Sequence, residues 1–245
     1  KLYQRHLDPR TEQAAWQVTF LEALPNELRT VISYLSANRL ADAERLCRFF
    51  MKSNQTHIEG MRLMAEIATR TGVFDDAEFL LETVMELQPE HRDANIQLVH
   101  VLLRRQRFHK AYERAQALHK GQDETNLQVL ALYASACFGV GKNEQAIATY
   151  QQMIGLSPND PALRVSEAHI HNAMGNSAAA VALFQQAYGL KPNFGDAFWS
   201  LANTKSYKFS DEEIASMQGA LSQSETPELD QIQIHFALGK AMEDQ

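Results

Sequence analysis

Gly72-Val-Phe-Asp-Asp-Ala77, Gly141-Lys-Asn-Glu-Gln-Ala146 and Gly175-Asn-Ser-Ala-Ala-Ala180 are three copies of one phrase, a turn residue followed five positions later by alanine. Two further copies replace the glycine: Gln106 precedes Ala111, and Asn38 precedes Ala43. The alanines Ala43, Ala77, Ala111, Ala146 and Ala180 are therefore 34, 34, 35 and 34 residues apart, and Pro89, Pro158 and Pro192 each follow one of them by twelve residues. A fixed period of this length marks a repeat array, in which chain length counts units instead of setting the size of one core.

Each period reads as two helices. Before the glycine, Leu130, Tyr133, Ala134 and Cys137, like Met61, Met64, Ala65 and Ala68, follow the spacing that puts side chains on one helix face. After it, Ala146, Ile147, Tyr150, Met153 and Ile154 form a second stripe. Glycine at the join supplies the positive φ that ends the first helix, and proline at the end of the period cannot continue the second. The small alanine lets the second helix approach the first closely. Two such helices cannot bury both stripes alone, so units must stack on one another.

Composition narrows the function classes. The chain has 245 residues, 45% hydrophobic, with a net charge of −7, a poor balance for binding duplex nucleic acid or an anionic membrane surface. Charges interrupt every apolar segment before it reaches the roughly 18 to 20 residues of a membrane span. Cys47 and Cys137 are too few for a disulfide framework and lack zinc-site spacing, so they read as buried free thiols in a reducing cytoplasm. The chain begins at Lys1 with no basic-then-apolar leader, and is read as a piece of a longer protein.

The 34-residue helix-turn-helix with alanine, an aromatic residue and proline in these positions resembles the tetratricopeptide repeat. The resemblance implies an all-α fold, a right-handed α-solenoid of helical hairpins. Its units would be 24–57, 58–91, 92–126, 127–160 and 161–194, preceded by a capping helix within 1–23 that carries Trp16 and Phe20. Arg164 and Glu167 stand where large apolar residues are usual, and Asp123 replaces the proline of the third unit. A degenerate sixth unit, 195–228, has Ile214 at the alanine position, and Ser210 with Glu213 spells a capping box. Residues 229–245 read as the first helix of a seventh unit.

The wording of this last part is more specific. Phe198-Trp199-Ser200-Leu201-Ala202-Asn203-Thr204-Lys205, Phe209-Ser210-Asp211-Glu212-Glu213-Ile214 and His235-Phe236-Ala237-Leu238-Gly239-Lys240-Ala241-Met242-Glu243-Asp244 resemble the junction of bacterial proteins that join a tetratricopeptide array to a C-terminal sulfotransferase domain. The resemblance implies sulfuryl transfer from PAPS by that downstream domain, and no cofactor in this chain. Residues 1–245 contain no strand, glycine-rich turn and helix of the kind that would hold the donor's phosphate. Gly139-Val-Gly141-Lys142 falls at a repeat turn, and Ala136 occupies the first glycine position of a phosphate loop. His169 and His171, two residues apart, diverge on a helix and do not form a metal site.

No catalytic constellation is singled out, and the chain is expected to be non-enzymatic. In tetratricopeptide arrays the first helices line the inner groove. The resemblance places Arg62, Glu66, Arg70, Gln97, His100, Arg104, Gln128, Ser135, Ser166, His169, Asn172, Trp199 and Asn203 on that face. This set is polar and locally basic, suited to a protein or peptide partner, with Arg62, His100 and Arg104 holding an acidic segment. Arg62 and Arg104 are read as exposed, hence replaceable at little cost in stability. The function expected is a scaffold, the repeat region of a sulfotransferase-linked protein. A free-standing adaptor with no attached enzyme is the alternative.

Overall fold

The structure is a computed structural model that describes residues 23–120, 125–204 and 207–243. The expected N-terminal cap, with Trp16 and Phe20, therefore lies outside the described residues apart from its last position, as does Asp123. Packing divides the chain into two compact units, Lys1–Arg105 and Gln106–Gln245, and the boundary falls inside the residues read as the third repeat. The first unit holds α1 (Asn26–Ser36), α2 (Leu40–Ser53), α3 (Ile58–Arg70), α4 (Phe74–Leu87) and α5 (Arg92–Arg104). The second holds α6 (Phe108–Lys120), α7 (Leu127–Gly139), α8 (Asn143–Leu156), α9 (Pro161–Ala173), α10 (Ser177–Leu190), α11 (Gly195–Ala202), α12 (Asp211–Leu221) and α13 (Glu228–Glu243). No strand occurs among the described residues. The architecture is the expected one, an all-α solenoid of helical hairpins: α1 with α2 and α3 with α4 in the first unit, α7 with α8 and α9 with α10 in the second.

The recurring phrase explains the hairpins. Asn38, Gly72, Gln106, Gly141 and Gly175 all take positive φ, between 55° and 83°. At Gly72 the amide donates to the Thr69 carbonyl and the next amide, of Val73, reaches back to Ala68 at 2.8 Å, closing the carbonyls that a helix end leaves free. Asn38, Gly141 and Gly175 repeat the pattern. All five alanines are fully buried, and at Ala43, Ala77, Ala146 and Ala180 the second helix packs on the first. The second helices α4, α8 and α10 end at Leu87, Leu156 and Leu190, immediately before a Gln-Pro, a Ser-Pro and a Lys-Pro pair respectively.

The first helices also start alike. His57, His91, Asn126 and Asp160 cap α3, α5, α7 and α9, each side chain accepting a backbone N–H of the first turn. The departure read at Glu167 becomes a polar bond between repeats: the buried carboxylate accepts from Gln151 of α8 at 3.0 Å. In the first unit α1, α2 and α3 bury Leu28, Val31, Leu35, Ala43, Cys47, Leu63 and Ile67 together. In the second, Val165, Ala168, Phe184, Ala187, Ala197 and Leu201 join α9, α10 and α11.

The residues after 194 depart from the expected arrangement of a sixth hairpin and the first helix of a seventh. Here α11 packs chiefly on α13 instead of on α12. Ile214, at the alanine position, packs against a cluster that joins Phe198 of α11 to Met217 and Ala220 of α12. Gly195 admits the backbone of α13, since a Cβ there would lie 2.4 Å from the Asp230 carbonyl oxygen. Asp230 accepts the Gly195 amide at 2.9 Å, capping α11 from another helix where Phe194 cannot. The Ser210–Glu213 capping box is present, and the same Glu213 carboxylate also accepts from Tyr188 at 2.8 Å and from Tyr207. Burial and this carboxylate push the Tyr188 phenol up to about 12, so it remains a donor. Gly195→Ala is expected to destabilise the protein by about 1–3 kcal/mol through overpacking. Gly189→Ala, on α10 with nothing within 4 Å of the added carbon, should stabilise it by about 0.5–1 kcal/mol; urea unfolding of both variants measures the contrast.

Candidate functional site

The expected inner-face residues lie on the first helices of each unit. On α3, Arg62 is not exposed. Its side chain keeps 12% of its accessibility and Nε donates to Glu59 at 2.7 Å, with Glu66 3.7 Å away. Glu59, buried at the start of the same helix, also bonds Nε2 of His91 at 2.8 Å. Nδ1 of that ring accepts the Ala94 amide, which fixes the proton on Nε2 and makes His91 a donor to Glu59. Arg70 gives one bond to Glu66 at 2.6 Å and another to the Leu35 carbonyl at 2.8 Å. Arg62, Glu66 and Arg70 thus belong to a continuous acid–base row that joins repeats, and the reading of Arg62 as a free, replaceable cation is corrected by its burial between two carboxylates.

The face of α5 differs. Gln97, His100 and Arg104 follow one another at i, i+3 and i+7, so they share a side. The Gln97 Oε1 is buried without a hydrogen-bond partner, an acceptor waiting for a donor. His100 is exposed at the helix surface, yet desolvation of its ring and the adjacent Arg104 charge hold it below the ordinary histidine value of 6.5, so it is neutral at pH 7. The Arg104 guanidinium lies 5.4 Å over the Phe74 ring and forms no ion pair among the described residues.

In the second unit the predicted side chains are mostly spoken for locally. Gln128 and Asn172 are exposed and Ser135 is half-buried. Ser166 donates to the Ala162 carbonyl of its own helix, and Asn203 to that of Trp199. His169 packs edge-on against Phe184 at 5.4 Å, and His171 turns to Glu167, 3.8 Å away. No cluster of three metal-ligating side chains exists among the described residues. Trp199 is exposed beside Phe236, ring centres 6.5 Å apart; Phe236 was not among the expected face residues, although it sits in the phrase His235-Phe236-Ala237. The glycine-lysine turn is a turn: Lys142 donates to the Tyr112 hydroxyl at 2.8 Å and lies over its ring.

A second feature escaped the sequence reading. A cleft of about 540 Å³ opens in the first unit between α2, α3 and α4, lined by Met51, Met64, Ile67, Val73, Phe79 and Leu80 with Arg48 and Asp76 at its rim. Its lining comes from the second helices α2 and α4 together with the first helix α3, and includes none of the expected face residues. Both cysteines are buried and unpaired; burial pushes the Cys47 thiol up to about 11, leaving it protonated and inert.

With this geometry in place, the comparisons with known proteins are specific about the fold. A family profile for anaphase-promoting complex, cyclosome, subunit 3 matches residues 70–153, and a tetratricopeptide-repeat profile matches residues 163–194. Among solved structures, a tetratricopeptide repeat protein from Parabacteroides merdae is 15% identical with a TM-score of 0.66, over 86% of this chain and 83% of that one. MamA from Desulfovibrio magneticus is 17% identical, TM-score 0.61, over 69% and 97%. YrrB, described as having an unusual peptide-binding site, is 13% identical, TM-score 0.60, over 77% and 96%. No curated protein matches by sequence. The fold is that of tetratricopeptide repeat proteins, and the repeat profile itself matches residues 163–194; none of the comparisons bears on the sulfotransferase likeness of residues 198–244.

The placement of the arginines separates structure from surface. Arg62→Ala should cost about 1–3 kcal/mol because Glu59 keeps only His91 as a partner, whereas Arg104→Ala should stay within about 0.5 kcal/mol. Thermal or urea unfolding of the two single variants checks this.

Proposed function

We propose that this protein is a non-catalytic scaffold whose first helices bind a partner polypeptide, with an acidic extended segment held on the α5 face. The observation that carries the proposal is the row Gln97, His100 and Arg104. It combines an acceptor with no partner, a neutral imidazole and a cation bound only to a ring. A peptide amide satisfies Gln97, and a carboxylate pairs with Arg104 by charge-assisted bonds. The remaining face residues, Gln128, Ser135, Ser166, His169, Asn172, Trp199 and Asn203, extend the same role in the second unit. YrrB, whose description names a peptide-binding site, shares the fold, which supports the reading without assigning the ligand.

Two finer points belong to the same proposal. Buried, unpaired thiols support a reducing, cytoplasmic setting. The C-terminal phrases support a role as the repeat region of a bacterial sulfotransferase, whose catalytic domain and PAPS site lie outside residues 1–245; the free-standing adaptor is the other reading. The gene sequence beyond Gln245 decides between them.

The binding role is tested by selecting ligands from a displayed random-peptide library and measuring them by fluorescence polarisation. Selected peptides should be enriched in Asp and Glu, and Arg104→Ala should weaken them about tenfold or more, the loss of one charge-assisted contact. Affinity should rise as pH falls below about 6.5, because His100, held below its ordinary value, takes up its proton there. No selectable acidic ligand, or affinity indifferent to Arg104, would sink the assignment.

A further inference from the structure

The helix α13 is apolar on two sides. One side, Ile234, Ala237, Leu238 and Ala241, is buried against α11 and α12. The other is open: Leu229, Ile232, Phe236 and Met242 keep 67%, 60%, 53% and 64% of their accessibility. Gly239 continues this open stripe, and nothing lies within 4 Å of where its Cβ would stand. With exposed Trp199 beside Phe236, the patch offers roughly 500 Å² of apolar side chain, at the upper end of what a monomer shows and over half of one partner's share in a standard interface.

The order of residues along the stripe identifies what fits it. Laid antiparallel about a twofold axis that passes between His235 and Phe236, two copies of α13 bring Ile232 of one level with Gly239 of the other. The Ile side chain then enters the notch that the missing Cβ leaves. Phe236 meets its own counterpart beside the axis, and Leu229 comes level with Met242. A closed symmetric contact requires this self-complementarity, in which residue i meets j and j meets i. We propose that α13 is a homodimerisation surface, with a second copy of this chain as its occupant and the Ile232–Gly239 knob and notch as its register. Glu228 and Glu243 also come level at the two exposed ends of the stripe. Glu243 already pairs with Lys240 of its own helix, 3.9 Å away, so these ends add little to the contact.

Sedimentation equilibrium of the full 245-residue chain at about 1–100 µM tests this. The expected result is a monomer–dimer equilibrium. Phe236→Asp should weaken it at least tenfold, and Gly239→Ile should do the same while leaving helix content and unfolding midpoint of the monomer unchanged or higher, because that position faces open space. The double variant Ile232→Gly, Gly239→Ile exchanges knob and notch, and should recover most of the association. A chain that stays monomeric throughout overturns the proposal, the stripe then being covered by something other than a second copy. A dimer indifferent to Phe236→Asp and Gly239→Ile overturns it equally, since association then uses another surface.

Discussion

The close approach of two helices at a buried alanine is the contact on which the rest of this structure depends. Ala43, Ala77, Ala146 and Ala180 lose all accessibility at such crossings, and a left-handed residue five positions earlier turns the chain so that the approach can occur. Asn38 and Gln106 adopt that conformation without being glycine, so the hairpin geometry holds the backbone in a region that L-residues otherwise avoid. On α5, Gln97, His100 and Arg104 gain their common direction from their i, i+3 and i+7 spacing along one helix.

Within that frame the joints between repeats are more polar than apolar stripes alone require. Glu59 binds His91, Glu78 binds Arg105, Glu167 binds Gln151 and Glu213 binds Tyr188, each pair coming from different elements. A buried carboxylate with its donors satisfied tolerates little sliding of one helix along another, because a shifted register would leave the charge unpaired. Such pairs fix register where leucines and alanines would accept several. They also remove arginines from the face that a ligand would see, which leaves Arg104 as the cation of that face in the first unit.

Much of this was legible in the residues. The turn positions, including the two without glycine, the buried alanines, the helix stops before proline and the Ser210–Glu213 box all follow from local chemistry and a counted period. The burial of Arg62 did not, because it depends on Glu59 of its own helix and on His91, 32 residues after Glu59, which only stacking brings near. The caps of the first helices went unread for a related reason: His57 and His91 are unusual residues there, although they share the register of Asn126 and Asp160. The pairing of α11 with α13 rests on what Gly195 allows, and that residue does not announce a partner 35 positions away.

The most direct measurement is the unfolding free energy of two variants on one helix, α8. Ala146 is buried at the crossing and Ala148, half a turn on, is exposed. Ala146→Leu should lose about 1–3 kcal/mol by forcing the helices apart, while Ala148→Leu should change stability by less than about 0.5 kcal/mol. Equal effects at the two positions would contradict the view that the close approach at alanine sets the architecture.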